Sequence, residues 1–313
     1  MTTIHEAYKL NQIIRNASAQ RENKYMVARE LWKAIAVPKI MSNDEVIGLK
    51  KKHLQQMEKT QNQIARFALG APKYAAVESL RGEMGWSQFS ERYEKGLLKI
   101  GGKIEMMEKN RYLSKIVKSR EGYNGFGKEF QNAIDKTGNR ELATRPLIGP
   151  SMWKKKVEEI IMEKGLRQWK EGCNRKSSLK YYSHKKKPAV EHLYDGSWRS
   201  QLLFRARAGC LRTRAKERHW NDRQEGNCTL CNDNKKENEF HIVMECPAYK
   251  DIRKKLLDKI NESGFGEVED REEIYKLVIG IPKAYDTIIS ETKNFLKEAD
   301  IIRRNGMQGD VSL

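Results

Sequence analysis

Cys228, Cys231, His241 and Cys246 stand at C-x2-C-x9-H-x4-C spacing, and no other feature of the chain restricts its folding as much. A two-residue gap lets a tight turn aim two thiolates at one point. A nine-residue gap spans a hairpin, and a four-residue gap returns the histidine beside the last cysteine. The set predicts a closed tetrahedral Cys3His site for one structural Zn2+. With every position filled by sulfur or nitrogen, none is left for an activated water, so the metal is expected as scaffold and not as catalyst. The competing reading is a chance gathering of cysteines in a surface loop; against it, the segment is polar, whereas free cysteines favour apolar surroundings. His219, nine residues before Cys228, is the alternative histidine. Cys173 and Cys210 lie far apart in sequence and are expected to be free thiols in a reducing compartment.

Charge sets the class of partner. The 313 residues carry a net +19, which points to a polyanion, nucleic acid by default, rather than a small-molecule substrate. Apolar residues make up 38% and charged residues 33% of the chain, a ratio that predicts thin cores and extended helical units. No apolar run approaches a membrane span and MTTIHEAYKL lacks a signal-peptide core, so an intracellular protein without membrane contact is expected. The charge is uneven: +11 over residues 1–150, +11 over 151–225 and −3 over 226–313. The middle segment is thus about twice as basic per residue as the first, and a nucleic-acid path should cross it.

Periodicity predicts a mainly α fold, with helical bundle-like units and a small zinc-stapled hairpin–helix module. Helical sequence runs from Met1 to about Ile40 and should close at Pro38. Ile47, Leu54, Met57, Gln61, Ile64 and Ala68 form the stripe of a second helix that stops at Gly70 and Pro72, with Gln61 satisfied at a helix contact. A short helix from Tyr74 ends near Gly82. Ser87 is placed to cap a long helix through Tyr93, Leu97, Ile100, Ile104 and Met107, which Gly101 and Gly102 should kink. Glu121–Phe130 reads as a glycine-rich loop, and a boundary falls between Gly138 and Pro150. Beyond it lie a helix from Ser151 with Trp153, Val157, Ile160 and Ile161 inward, and one over Trp198–Gly209 with Trp198, Leu202 and Ala206 inward. Pro247 should start a helix, and two more cover Asp270–Gly280 and Ala284–Arg304. The resulting division is a helical domain over 1–145, a basic segment over 146–225 and the zinc module with C-terminal helices over 226–313.

The basic segment supplies the candidate nucleic-acid contacts. Lys185, Lys186 and Lys187 follow Tyr181 and Tyr182, a mixture that suits phosphates and unpaired bases, with a solvated linker as the other reading. Arg205, Arg207, Arg212 and Arg214 crowd the approach to Cys228 and are expected on phosphate, the alternative being a salt-bridged face against the acidic tail.

FRARAGCLRTRAKERHW, then C-x2-C, then ENEFHIVMECPAYKDIRKKL resembles the C-terminal zinc-binding region of non-LTR (LINE-like) retrotransposon reverse transcriptases. Glu237, His241, Cys246, Pro247, Tyr249 and Arg253 occupy that family's positions. ELWKAIAVPKI and EKTQNQIARFALGAPKYAAVESLRGEMGW are similar to the helical region after the polymerase thumb, so the resemblance spans roughly residues 1–300. Ser42-Asn43-Asp44-Glu45 depart from the family's aromatic-glycine pair. The resemblance implies a part of a ribonucleoprotein, nuclear or cytoplasmic, that grips template RNA or target DNA. No aromatic-x-Asp-Asp step for a two-metal polymerase site occurs, and Pro282-Lys283-Ala284-Tyr285-Asp286 does not reproduce the family's nuclease motif, so no catalytic residue and no enzyme activity is expected of this chain. Two other classes stay open: a zinc and helix scaffold for protein contacts, and a nuclease with an unrecognised site.

Overall fold

Helix-forming stretches separated by glycine and proline account for nearly all of the regular structure. A computed structural model of the chain describes residues 2–19, 23–41, 51–119, 123–138, 142, 149–218 and 226–309. Among these the fold is mainly α, and the extended pairing is a single antiparallel bridge, Asn227 to Lys236, at the cysteine turn. Contacts group the chain into two compact units, Met1–Ala19 with Val27–Ile64 and Gly85–Glu171, and Gln20–Met26 with Ala65–Met84 and Gly172–Leu313. These units are discontinuous in sequence, unlike the three consecutive segments read from the sequence: residues 20–26 and 65–84 join the unit that holds Cys228, Cys231, His241 and Cys246. The expected boundary at 138–150 lies almost entirely outside the described residues, as do Ser42–Glu45 and His219.

In the first unit, buried polar groups fix how helices meet. Gln61 is fully buried on the Lys51–Leu69 helix; its Oε1 accepts from Trp32 Nε1 at 3.1 Å and from Arg92 at 2.8 Å, and its Nε2 donates to the Ser87 carbonyl at 3.1 Å. The long helix Phe89–Glu105 does not use Ser87 as its cap. Glu58 reaches across and accepts from the Phe89 N–H at 2.8 Å, so a side chain from another helix satisfies the orphan donor. Nor do Gly101 and Gly102 kink this helix. Both are buried, and a Cβ on either would strike the ring of Phe130 or the indole of Trp153. The glycines permit close approach, and Trp153 answers by donating Nε1–H to the Leu98 carbonyl at 2.9 Å. Around that contact lie Tyr93, Leu97, Leu98, Ile134, Val157 and Ile161. The glycine-rich stretch is shorter than expected: Tyr123–Gly127 is one irregular turn broken at Gly125, and Phe130 already belongs to the helix Lys128–Thr137.

Pro38 does not end the first helical stretch. Lys24–Leu31 runs through a π turn, Trp32–Ala36, into Val37–Met41. The wide turn accommodates the missing proline donor without a stop.

The second unit is built around charges. Glu83, on the helix Val77–Met84, is fully buried; Arg207 Nη2 lies 3.2 Å from it, Lys185 Nζ 3.6 Å, and the Tyr194 hydroxyl donates at 2.7 Å. Burial would push this carboxyl up, yet Arg207 and Lys185 outweigh it and hold it below the ordinary carboxylate range. Arg207 also donates to the carbonyls of Ile279 and Gly280, which close the helix Arg271–Ile279, and Tyr25 donates to the Glu83 carbonyl at 2.7 Å. That helix is bounded as its sequence predicts, by the Asp270 side chain on the Glu272 N–H and by Gly280 at φ +68°.

Candidate metal centre

Local backbone geometry brings the four ligands together. Gly226 and Asn234 take positive φ, the Cys228 N–H bonds the Lys235 carbonyl at 2.8 Å, and the Glu237 N–H bonds the Gly226 carbonyl at 3.0 Å. These bonds fold 226–237 into a closed knuckle carrying Cys228 and Cys231. Asn238 then accepts the His241 N–H at 2.8 Å and starts the π turn His241–Glu245, whose last bond, Cys246 N–H to His241 carbonyl at 2.8 Å, swings Cys246 back under the histidine. One donor atom from each of the four residues lies within 4.8 Å of all the others.

Two of the spacings match edges of a coordination tetrahedron. Sulfurs about 2.3 Å and nitrogens about 2.0–2.1 Å from a tetrahedral zinc ion lie about 3.8 Å (S to S) and about 3.6 Å (S to N) apart. Cys228 Sγ and Cys246 Sγ are 3.8 Å apart, and Cys231 Sγ is 3.5 Å from His241 Nε2. All five cysteines are free thiols, and Cys173 and Cys210 lie outside the cluster. Burial pushes the Cys246 thiol up to about 12, with Cys228 and Cys231 adding to the rise, so a cation beside it would favour the thiolate that burial opposes. Glu245 faces the other histidine nitrogen, Nδ1, at 3.3 Å, and Lys235 lies 3.5 Å from the same carboxylate. A carboxylate on Nδ1–H selects the tautomer whose Nε2 lone pair points at the sulfurs. The donor set therefore fits a metal ion of the zinc type.

Side chains on either side of the ligands hold this loop. Arg253 is buried and donates to the carbonyls of Ile242, Val243 and Cys246 at 3.2, 2.6 and 2.8 Å, closing the π turn. Glu237, 1% exposed, accepts from the Arg214 N–H at 3.0 Å and from Arg303 at 2.8 Å. Pro247 occupies the first turn before the helix Lys250–Ile260, and Tyr249 is buried beneath it. A cavity of about 390 Å3 adjoins the loop, walled by Asn238, Glu239 and Phe240 and by Tyr181 and Tyr275.

The expected nucleic-acid residues divide sharply. Tyr182 is 0% exposed and donates to the Ser79 carbonyl; Lys185 (5%) and Arg207 (2%) face Glu83. In this fold the three side chains are enclosed, neutralising or walling the buried carboxylate. Lys186, Lys187 and Arg212 are exposed, Arg212 alongside Glu217. Arg205 is half-buried, Arg214 anchors Glu237 through its backbone, and Tyr181 packs on Phe240 and Tyr275 with part of its surface open. Trp198, expected inward, is 38% exposed; Leu202, Leu203, Phe204 and Ala206 take the core instead. Sequence reasoning missed Glu83 and Glu245. Glu245 is legible as the i+4 carboxylate of a ligand histidine, and Glu83 stands in the Leu80-Glu83-Met84 stripe.

No helix among the described residues is long and apolar enough to cross a membrane. No protein-family model, no curated protein and no solved structure matches the chain.

Proposed function

We propose that this chain is a non-catalytic, zinc-stabilised module that grips RNA or DNA, playing the part of the post-thumb and zinc-binding region of a non-LTR retrotransposon reverse transcriptase within a ribonucleoprotein. One structural Zn2+ sits on Cys228, Cys231, His241 and Cys246. The observation that carries the reading is the Cys3His cluster at tetrahedral spacing, in a loop held by Glu237, Tyr249 and Arg253, residues of the same sequence pattern as the ligands. The net charge of +19 supplies the attraction to a polyanion. Of the residues first assigned to that contact, Lys186, Lys187 and Arg212 keep their side chains exposed.

The test measures two things on the purified chain. Metal analysis should return one zinc per chain, lost in Cys231→Ser, and binding to single-stranded RNA and DNA should fall steeply with salt. Absence of zinc, or affinity that ignores salt, overturns the proposal in favour of a scaffold for protein contacts. Primer extension or DNA cleavage with Mg2+ that vanishes on a single aspartate change would instead reinstate an enzyme.

A further inference from the structure

Within the second unit an exposed tryptophan collects two guanidiniums. Trp198 opens the helix Trp198–Arg207, with Arg205 Cζ 4.8 Å and Arg304 Cζ 5.4 Å from its ring. Cation–π attraction holds both cations on one indole, and the arrangement is locked from two sides. Asp300 accepts from Trp198 Nε1 at 3.2 Å and pairs with Arg304 at 2.7 Å, while Arg205 donates from Nε and Nη2 to the Gly70 carbonyl at 3.1 and 2.8 Å. Gly70, at φ +60°, leaves no room for a Cβ against Gln201, so the carbonyl is presented to Arg205 by a turn that only glycine forms here.

Around this pair the surface stays basic and aromatic. Lys24 lies over the Phe67 ring at 5.2 Å; its ammonium is pushed below its ordinary value by burial and by the nearby Arg205. Tyr74 is 43% exposed, with its hydroxyl on the Cys210 carbonyl at 3.2 Å, close enough to Arg205 and Arg212 for both to counter the rise that its burial produces. Asp300 and Glu217 pair with Arg304 and Arg212, but no carboxylate among the described residues pairs with Lys24 or Arg205. Two neighbouring cations with no carboxylate partner among the described residues, beside two exposed aromatic rings, match the alternation of phosphates and unpaired bases along a single strand.

We propose that Lys24, Tyr74, Trp198, Arg205, Arg212 and Arg304 form a track for single-stranded nucleic acid, with phosphates on the guanidiniums and bases against the aromatic rings. The track rests on the nucleic-acid reading above and replaces the path through Tyr182, Lys185 and Arg207. Duplex fits it less well, because stacked and paired bases withhold their faces.

The experiment is a salt titration of binding to a labelled single-stranded oligonucleotide of mixed sequence, with the zinc-loaded full chain. Each lost phosphate contact on a single strand lowers the slope of log K against log salt by about 0.7, so Arg205→Gln with Arg304→Gln should lower it by about 1.4. Arg304→Gln and Lys24→Gln alone, which leave the Gly70 turn intact, should each lower it by about 0.7. Trp198→Ala should weaken binding about tenfold, and Trp198→Phe, which keeps an aromatic face, by far less. A wild-type slope in the Lys24 and Arg304 variants, while the parent chain still binds, overturns the track and leaves the nucleic-acid reading standing. Equal affinity for polyglutamate of matched charge overturns it in favour of an acidic protein partner. If the parent chain binds no nucleic acid, the broader reading falls and the track with it.

Discussion

Around Cys246 three sulfurs and an imidazole nitrogen converge and the chain offers donors only, whereas around Glu83 a buried carboxylate meets Arg207 and Lys185, cations that the chain supplies itself. Both places gather groups that burial would otherwise force into their neutral forms. One would be completed by a metal from solution, and the other is completed by the sequence itself. The difference teaches where the fold should depend on conditions: the knuckle on metal supply, the Glu83 centre on the covalent chain and on acidity.

Removing the metal should have the largest effect. Structural zinc sites bind with a free energy on the order of 10 kcal/mol, and without it residues 226–260 should lose hydrogen-exchange protection. The amides around Glu83 should keep theirs; equal loss in both places would erase the distinction. Arg207→Met comes next, expected to cost about 3–5 kcal/mol in denaturant unfolding because it strips Glu83 of its nearest cation. Zinc content should be unchanged, and adding Glu83→Met should restore part of the loss, since a buried pair is often replaceable by apolar side chains. A smaller effect is set by pH. Glu83 titrates below its unfolded value, so its stabilisation is complete above the ordinary carboxylate range and drains away as pH falls through the depressed folded value. The stability difference between the parent and Glu83→Gln, followed down in pH, should therefore shrink; a difference that grows would mean that burial, not Arg207, governs the group. Least of all, Arg212→Gln should alter stability by no more than about 0.5 kcal/mol, because the Arg212 side chain is open to solvent and Glu217 keeps Arg303 as a second partner.

The gathering of Cys228, Cys231, His241 and Cys246 was legible in the sequence because its geometry is local: the gaps between them determine which turns can close, and the knuckle and π turn follow. Helix ends with their own punctuation were legible for the same reason, as at Asp270 and Gly280. What could not be read was the fate of the basic side chains. Arg205 and Arg207 are two residues apart in one arginine-rich run, yet one is half-buried and the other fully buried. The deciding partner, Glu83, is 124 residues away from Arg207, and no local pattern reports it. A hint existed in Ser200, Leu203, Phe204 and Arg207, which share a face at helical spacing and are all buried, but the stripe through Trp198, Leu202 and Ala206 is equally regular in sequence. Gly101 and Gly102 misled in the opposite sense. Propensity reads them as a weakness, and only the rings of Phe130 and Trp153 give the reason for them.

The π turn at Trp32–Ala36 sets the angular phase of the helix beyond it. One residue more than an α turn rotates everything after it by about 100°. Trp32, Ala36 and Ile40 share the inward side, whereas Lys33, Ala34 and Ile35 face out. This stretch should consequently accept many replacements at its outward positions and bear the loss of one of Lys33, Ala34 or Ile35, which would close the π turn as an α turn and leave Ile40 inward, far better than the gain of a residue, which would turn Ile40 toward water and carry Lys39 toward the core.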